Sequence, residues 1–236
     1  MDAVILAAGL GMRLNPLTDA IPKCLAPVNG KAILRRQIES LSDFPLQRLH
    51  VVLGYKHAQA ATELQNLETP FPVSILLNTE FEKTNNMVSL HQAARHVRGK
   101  PFLLLNGDVL FEKKLMQQIW DREDAVCPYD STNFDPEELK LLIEDGRAAK
   151  IMPKITGPEG SQGATIGIFK FSGAASEWLF EDMEKTILSG KRNEWFEYSL
   201  SHVFAQTVFA PLDVAGLRWV EIDNPEDLAL AEKVFD

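Results

Sequence analysis

Cysteine is scarce: the 236-residue chain carries only Cys24 and Cys127. Two cysteines supply neither a disulfide framework nor a zinc-ligand pattern, so both are expected to be plain thiols. Long apolar runs are missing as well, and none approaches the roughly 20 residues of a membrane-spanning helix. The start, Met1-Asp2-Ala3-Val4-Ile5-Leu6, lacks a basic n-region, and its apolar stretch is too short for a secretion signal. It reads as a buried first strand, with the cytoplasm as the expected compartment. Positive charge is in deficit, with 24 Lys+Arg against 33 Asp+Glu and a net charge of −9. Such a chain is poorly matched to the backbone of nucleic acid, so neither nucleic acid nor membrane is an expected partner. A polyphosphate can still be held where a few cations gather locally. His50, His57, His91, His96 and His202 form no evident acid–base set.

What is present suits one sizeable core. Hydrophobic residues make up 45% of the chain, there is no internal repeat or linker, and a single domain over 1–236 is expected. The first half alternates strand and helix signals. Strands are expected at Val4–Leu6, Leu49–Leu53, Val73–Leu77 and Phe102–Leu105. Helices are expected over 32–41 and 57–67, and across Met87, Leu90, Ala94 and Val97. The second half predicts a hairpin, Leu139–Glu144 and Arg147–Met152, turned by Asp145-Gly146. A strand at 164–171, helices at 174–189 and 194–204, a strand at 217–222 and a last helix opened by Asn224-Pro225 follow. The polar, Pro-interrupted segment 130–138 reads as a mobile loop. The fold class is therefore α/β, with a mixed, mostly parallel sheet covered by helices on both faces. Ligands of such sheets sit at the carboxyl ends of the strands, which places the 9–13 loop and Asp108 on one edge.

The loop Gly9-Leu10-Gly11-Met12-Arg13-Leu14 follows the first strand. Its glycines let backbone N–H groups approach an anion. It is not a dinucleotide fingerprint, because Leu14 stands where a third glycine belongs, and no Gly-Lys-Ser/Thr follows to make a Walker loop. Arg13 and Lys23 sit on a segment stiffened by Pro16 and Pro22, a pattern suited to phosphate. As plain surface chemistry they would be solvated cations.

Leu6-Ala7-Ala8-Gly9-Leu10-Gly11-Met12-Arg13-Leu14, Pro16-Leu17-Thr18 and Pro22-Lys23-Cys24-Leu25-Ala26-Pro27 together resemble the signature of the sugar-phosphate and alcohol-phosphate nucleotidylyltransferases. The resemblance implies a glycosyltransferase-A-like fold. It implies a nucleotide-binding half over about 1–110 and an acceptor-binding half over about 111–236. Leu6, Ala8, Gly9, Gly11, Arg13 and Lys23 would hold the nucleotide, and Gly54 and Tyr55 resemble a further family element near it. Asp108 after the fourth strand and Asp223 after the last match the family's metal-binding aspartates, and two carboxylates with phosphate oxygens suit Mg²⁺. Read locally, Asp108 is a Gly-Asp turn and Asp223 a helix N-cap.

Asn85-Asn86-Met87-Val88-Ser89-Leu90 replaces the Gly-rich element of the sugar-specific enzymes and resembles the phosphocholine and related alcohol-phosphate cytidylyltransferases. Asn85 and Asn86 would cap the next helix, contact nucleotide, or do both. Lys154, by the same resemblance, is a candidate for the acceptor phosphate, and Arg13, Lys23, Asp108 and Lys154 form the catalytic set. Trp195, Glu197 and Tyr198 would receive the head group of the acceptor. The implied reaction passes CMP from CTP to a phosphorylated amino alcohol or polyol such as phosphocholine and releases pyrophosphate. The rival readings are a sugar-1-phosphate enzyme using UTP, GTP or dTTP and a non-catalytic nucleotide sensor. The expected state is a monomer or homodimer, with small-molecule partners.

Overall fold

The structure, a computed structural model, describes residues 1–136, 138–152 and 161–236. β1 (Asp2–Ala7) leads through short turns and α1 (Leu17–Ala20) to a small hairpin, β2 (Pro27–Val28) and β3 (Lys31–Ala32). There follow α2 (Ile33–Leu41), β4 (Leu49–Leu53), α3 (His57–Gln65), β5 (Val73–Leu77), α4 (Asn86–His91), α5 (Ala94–Val97) and β6 (Phe102–Asn106). The second half begins with β7 (Val109–Phe111), α6 (Lys113–Trp120), β8 (Ala125–Asp130), β9 (Lys140–Glu144) and β10 (Arg147–Met152). It continues with β11 (Gly163–Thr165), β12 (Ile168–Phe171), α7 (Gly173–Leu188), α8 (Phe196–Phe204), β13 (Phe209–Asp213), β14 (Trp219–Glu221) and α9 (Pro225–Val234).

The main sheet runs β10-β9-β11-β8-β12-β6-β1-β4-β5, with β13 beside β8. Its block β6-β1-β4-β5 is parallel, and Ala3–Ala7 lies in register with Leu49–Leu53. Beyond β6 the sheet turns antiparallel through β12, apart from β13, which is parallel to β8. Strand alternation sends Ala3 and Ile5 into one core and Val4 and Leu6 into the other. The first core is roofed by α2, α3 and α6, through residues such as Leu34, Ile38, Leu64 and Leu115. The second is covered by α4, α7 and α8, through Met87, Leu179, Phe196 and Leu200. Helices therefore cover both faces.

Several boundaries differ from the sequence pattern. The expected strand at 164–171 divides into β11 and β12, because the chain changes neighbours from β9 and β8 to β6 and β8 around Ile166-Gly167. The helix expected across Met87 to Val97 is broken into α4 and α5, both facing the same core. The periodic reading missed α6, β8 and β13. The segment 130–138 is braced where it leaves β8: Asp130 accepts from Thr132 N and Thr132 Oγ1 through one oxygen, and from Trp219 Nε1 through the other at 2.9 Å.

Candidate active site

A cleft of about 460 Å³ opens at the carboxyl ends of β1 and β6. Its first wall is the loop after β1. Gly11 has φ +65, and a Cβ there would stand 2.8 Å from Lys23 Cβ, so glycine lets the loop close onto the lysine. Thr18 Oγ1 donates to Gly11 O at 2.9 Å. Tyr55 braces the same loop, with its hydroxyl donating to Thr18 O at 3.0 Å and its N–H to Ala8 O at 3.1 Å.

Two distant aspartates meet here because of a separate ribbon. β7 and β14 pair antiparallel, with Val109 opposite Glu221, and Ile222 N donates to Asp108 O at 3.0 Å. Asp108 precedes one strand of that ribbon and Asp223 follows the other, so the pairing sets them side by side. Gly107 brings the ribbon up against β1: its N–H donates to Leu6 O at 2.8 Å, and an added Cβ would meet that oxygen at 2.5 Å. Asp223 is not the cap of α9. Asn224 fills that place in a capping box with Asp227, which also accepts from Asp223 N at 2.9 Å. The Asp223 carboxylate is thereby left to face the cleft.

Lys23 Nζ lies 2.6 Å from Asp108 Oδ2 and 2.5 Å from Asp223 Oδ1, while Arg13 Nη2 lies 2.6 Å from Asp223 Oδ2. Burial opposes the charge on Lys23, but Asp108 and Asp223 outweigh it and hold its pKa above that of an ordinary lysine. A third carboxylate joins them: one oxygen from each of Asp108, Glu221 and Asp223 lies within 4.8 Å of the others. Burial first, then the neighbouring carboxylates, pushes the Glu221 carboxyl well above the usual carboxylate range. Asp108 Oδ1 is buried and accepts no hydrogen bond among the described residues. An all-oxygen donor set with one carboxylate oxygen left over is chemically compatible with a hard divalent cation.

The opposite wall comes from α4 and the start of α8. Asn85 caps α4, accepting from Asn86 N at 2.8 Å. The Asn86 side chain accepts from Phe196 N at 2.8 Å and donates to Glu197 Oε2 at 3.0 Å. Glu197 is 5% exposed, and burial drives its carboxyl up to about 7 despite that bond. Cys24, buried in the lining, has its thiol pushed up to about 12, chiefly by burial. It is no ready nucleophile.

Of the residues singled out from sequence, Leu6, Ala8, Gly9, Gly11, Arg13, Lys23, Asn85, Asn86, Asp108, Trp195, Glu197 and Asp223 line this one cleft. Gly54 and Tyr55 stand behind the glycine loop and Tyr198 lies outside the lining. Successive helical residues diverge by about 100°, so Tyr198 cannot share the direction of Glu197. It is 47% exposed and meets His202 edge-on. Lys154 lies outside the described residues. Sequence reasoning missed Glu221 and Glu138, which also line the cleft. Glu221 was within reach, because residues two apart on a strand share a face with one another and Asp223 follows by two. Glu138 carried no local signal.

Residues 3–169 match the MobA-like NTP transferase domain. The chain is 27% identical over 233 residues to the bifunctional protein GlmU of Methanocaldococcus jannaschii, covering 99% of this chain and 54% of that protein. It therefore spans about half the length of several curated relatives it matches. It is 28% identical over 260 residues to the CTP:phosphoglutamine cytidylyltransferase of Campylobacter jejuni, covering 97% of this chain and 98% of that one. The solved structure of the CTP:phosphocholine cytidylyltransferase from Streptococcus pneumoniae superposes with a TM-score of 0.82 at 23% identity, covering 100% of this chain and 99% of that one. That likeness is one of fold.

Proposed function

This chain belongs to the MobA-like NTP transferase domain family, and from that premise we propose that it transfers CMP from CTP to a phosphorylated amino alcohol or polyol, phosphocholine foremost, releasing pyrophosphate. The observation that carries the reading is the meeting of Arg13, Lys23, Asp108 and Asp223 in one cleft at the strand ends.

The reaction needs no protein nucleophile. An oxygen of the acceptor phosphate attacks the α-phosphorus of CTP. A new phosphoanhydride bond forms as the α–β bond breaks, and the electron pair leaves with pyrophosphate. The chain must bring two anions together and offset their charge. Lys23, kept charged by its carboxylates, and Arg13 stand where the polyphosphate enters. The loop over 9–13 offers backbone N–H groups to the same phosphates. Asp108 and Asp223, with Glu221 beside them, fit Mg²⁺, which when bound supplies positive charge to the reacting phosphates. Asn85 and Asn86 belong to the nucleotide side, and Trp195 and Glu197 to the acceptor side. Lys154 is proposed for the acceptor phosphate on the sequence resemblance alone.

The choice of CTP rests on the Asn85–Leu90 string and on the cytidylyltransferase relative from Campylobacter jejuni. An amino-alcohol acceptor is favoured by Glu197, a buried carboxyl that lines the same cleft as Trp195, a combination that suits a cationic head group. A panel of CTP, UTP, GTP and dTTP against phosphocholine, phosphoethanolamine, polyol phosphates and sugar 1-phosphates, read as pyrophosphate release, tests the proposal. CTP with an amino-alcohol or polyol phosphate is the expected pair. Turnover confined to sugar 1-phosphates would transfer the assignment to the sugar enzymes, and binding of nucleotide without turnover of any pair would favour a sensor.

A further inference from the structure

Two neighbouring segments of the wall built by α4 and the start of α8 are joined outside the cleft. One, residues 78–85, connects β5 to α4 and delivers Phe81, Thr84 and Asn85 to the lining. The other, residues 189–195, connects α7 to α8 and delivers Trp195, with Glu197 two residues on.

The first segment is a rigid frame. Asn78 is 1% exposed, and its amide donates to Thr84 Oγ1 at 3.1 Å and to Ser89 Oγ at 3.0 Å. Asn78 Oδ1 accepts from Glu80 N at 3.0 Å, and Thr84 Oγ1 donates to Glu80 O at 2.9 Å. Glu80 therefore projects from a backbone held on both sides.

The second segment meets this frame through Arg192. Arg192 Nη1 lies 2.9 Å from Glu80 Oε1 and Nη2 lies 2.6 Å from Oε2, a fork-to-fork pair. The carbonyl of Arg192 accepts from Asn85 N at 3.3 Å. One residue thus grips the frame at Glu80 through its side chain and at the α4 cap through its backbone. A few residues on, the Asn86 amide holds Phe196 N and the Glu197 carboxylate. Any displacement of the frame is handed to Trp195 and Glu197 through these ties. Neither Glu80 nor Arg192 lines the cleft, so changing them removes no contact with a substrate. Both are exposed, and such a pair adds little to global stability. What a bidentate pair does fix is the relative angle of the two segments.

We propose that the Glu80–Arg192 pair is a latch coupling the Asn85–Asn86 part of this wall to its Trp195–Glu197 part, which makes Arg192 a positioning residue for the acceptor. The inference rests on the donor and acceptor sides assigned under the proposed function. Because coupling is reciprocal, nucleotide bound against the 78–85 frame would alter acceptor affinity through the latch by the same factor as acceptor alters nucleotide affinity.

The test compares the whole chain with E80Q, R192Q and the charge-swapped E80R/R192E, using CTP with Mg²⁺ and phosphocholine as probes. Each single variant is expected to raise the KM for phosphocholine about threefold to tenfold, with kcat within about twofold and an unchanged melting temperature. The swapped pair is expected to restore most of the lost KM. Single variants with wild-type KM, or a raised KM that the swap does not repair, overturn the latch while leaving the functional reading intact. A wild-type chain that binds no CTP overturns that reading and the latch with it.

Discussion

The two ends of the cleft handle charge in contrasting ways. At the end proposed to hold the phosphates, Lys23 and Arg13 are matched against Asp108 and Asp223 at ion-pair distance, and the pKa of Lys23 moves upward, away from neutrality. At the end proposed for the acceptor, burial brings the Glu197 carboxyl to about 7 against the opposing pull of a backbone N–H and the Asn86 amide. Charge that is paired is held through any ordinary pH, whereas charge that is merely buried becomes conditional. Lys23 should therefore keep its charge through neutrality, and the grip on a cationic head group should titrate.

The largest effect that would break this contrast lies at the phosphate end. Asp108→Asn or Asp223→Asn should lower kcat by roughly 10²–10⁴-fold while circular dichroism stays native, because each removes charge where the reacting phosphates are proposed to meet. Pyrophosphate release at saturating substrates checks this, and loss confined to KM would show that the carboxylates act only in binding.

A smaller, sharper test sits at the other end. Glu197→Gln should raise the KM for phosphocholine about tenfold and leave a neutral polyol phosphate nearly unaffected. In the wild type, phosphocholine binding should tighten relative to the variant as pH rises through about 7, where Glu197 gains its charge. Stability runs the opposite way. The folded-state pKa is raised from 4.5 to about 7, so the contribution of the protonated carboxyl is complete below about 4.5 and is lost as pH climbs through about 7. Melting temperatures of wild type and Glu197→Gln should diverge over that window, and parallel curves would refute the titration.

The smallest effect is structural. Gly11→Ala should cost about 1–3 kcal/mol in urea unfolding, since alanine must accept φ +65 and crowd Lys23. Gly9→Ala, with nothing within 4 Å of its added Cβ, should stay within about 0.5 kcal/mol. Equal costs at the two positions would mean that the loop is not shaped by its contact with the lysine.

The same contrast governs what the sequence discloses. The parallel block is legible because its signals are local: short, nearly continuous apolar runs in β1, β4 and β6, buried on both faces, and a helical stripe in α2. The glycine loop and its cations are contiguous enough to read as one object. The convergence of Asp108 with Asp223 depends on β7 and β14, three-residue strands too short to show any period and far apart along the chain. Only the aspartates themselves hinted at it. At the acceptor end, the Asn86 amide serves Phe196 and Glu197, a tie invisible to any local pattern. Nor could composition show that Asp130, at the head of the polar stretch 130–138, ties the chain to Thr132 and Trp219 as it leaves β8.

Calorimetry of CTP binding with and without Mg²⁺, on the wild type and on Asp108→Asn/Asp223→Asn, is the most direct measurement. The ribbon-joined carboxylates, acting as the metal-dependent half of the grip, require Mg²⁺ to tighten CTP binding to the wild type by tenfold or more, and require that gain to vanish in the double variant. A double variant that keeps the full gain would contradict the account.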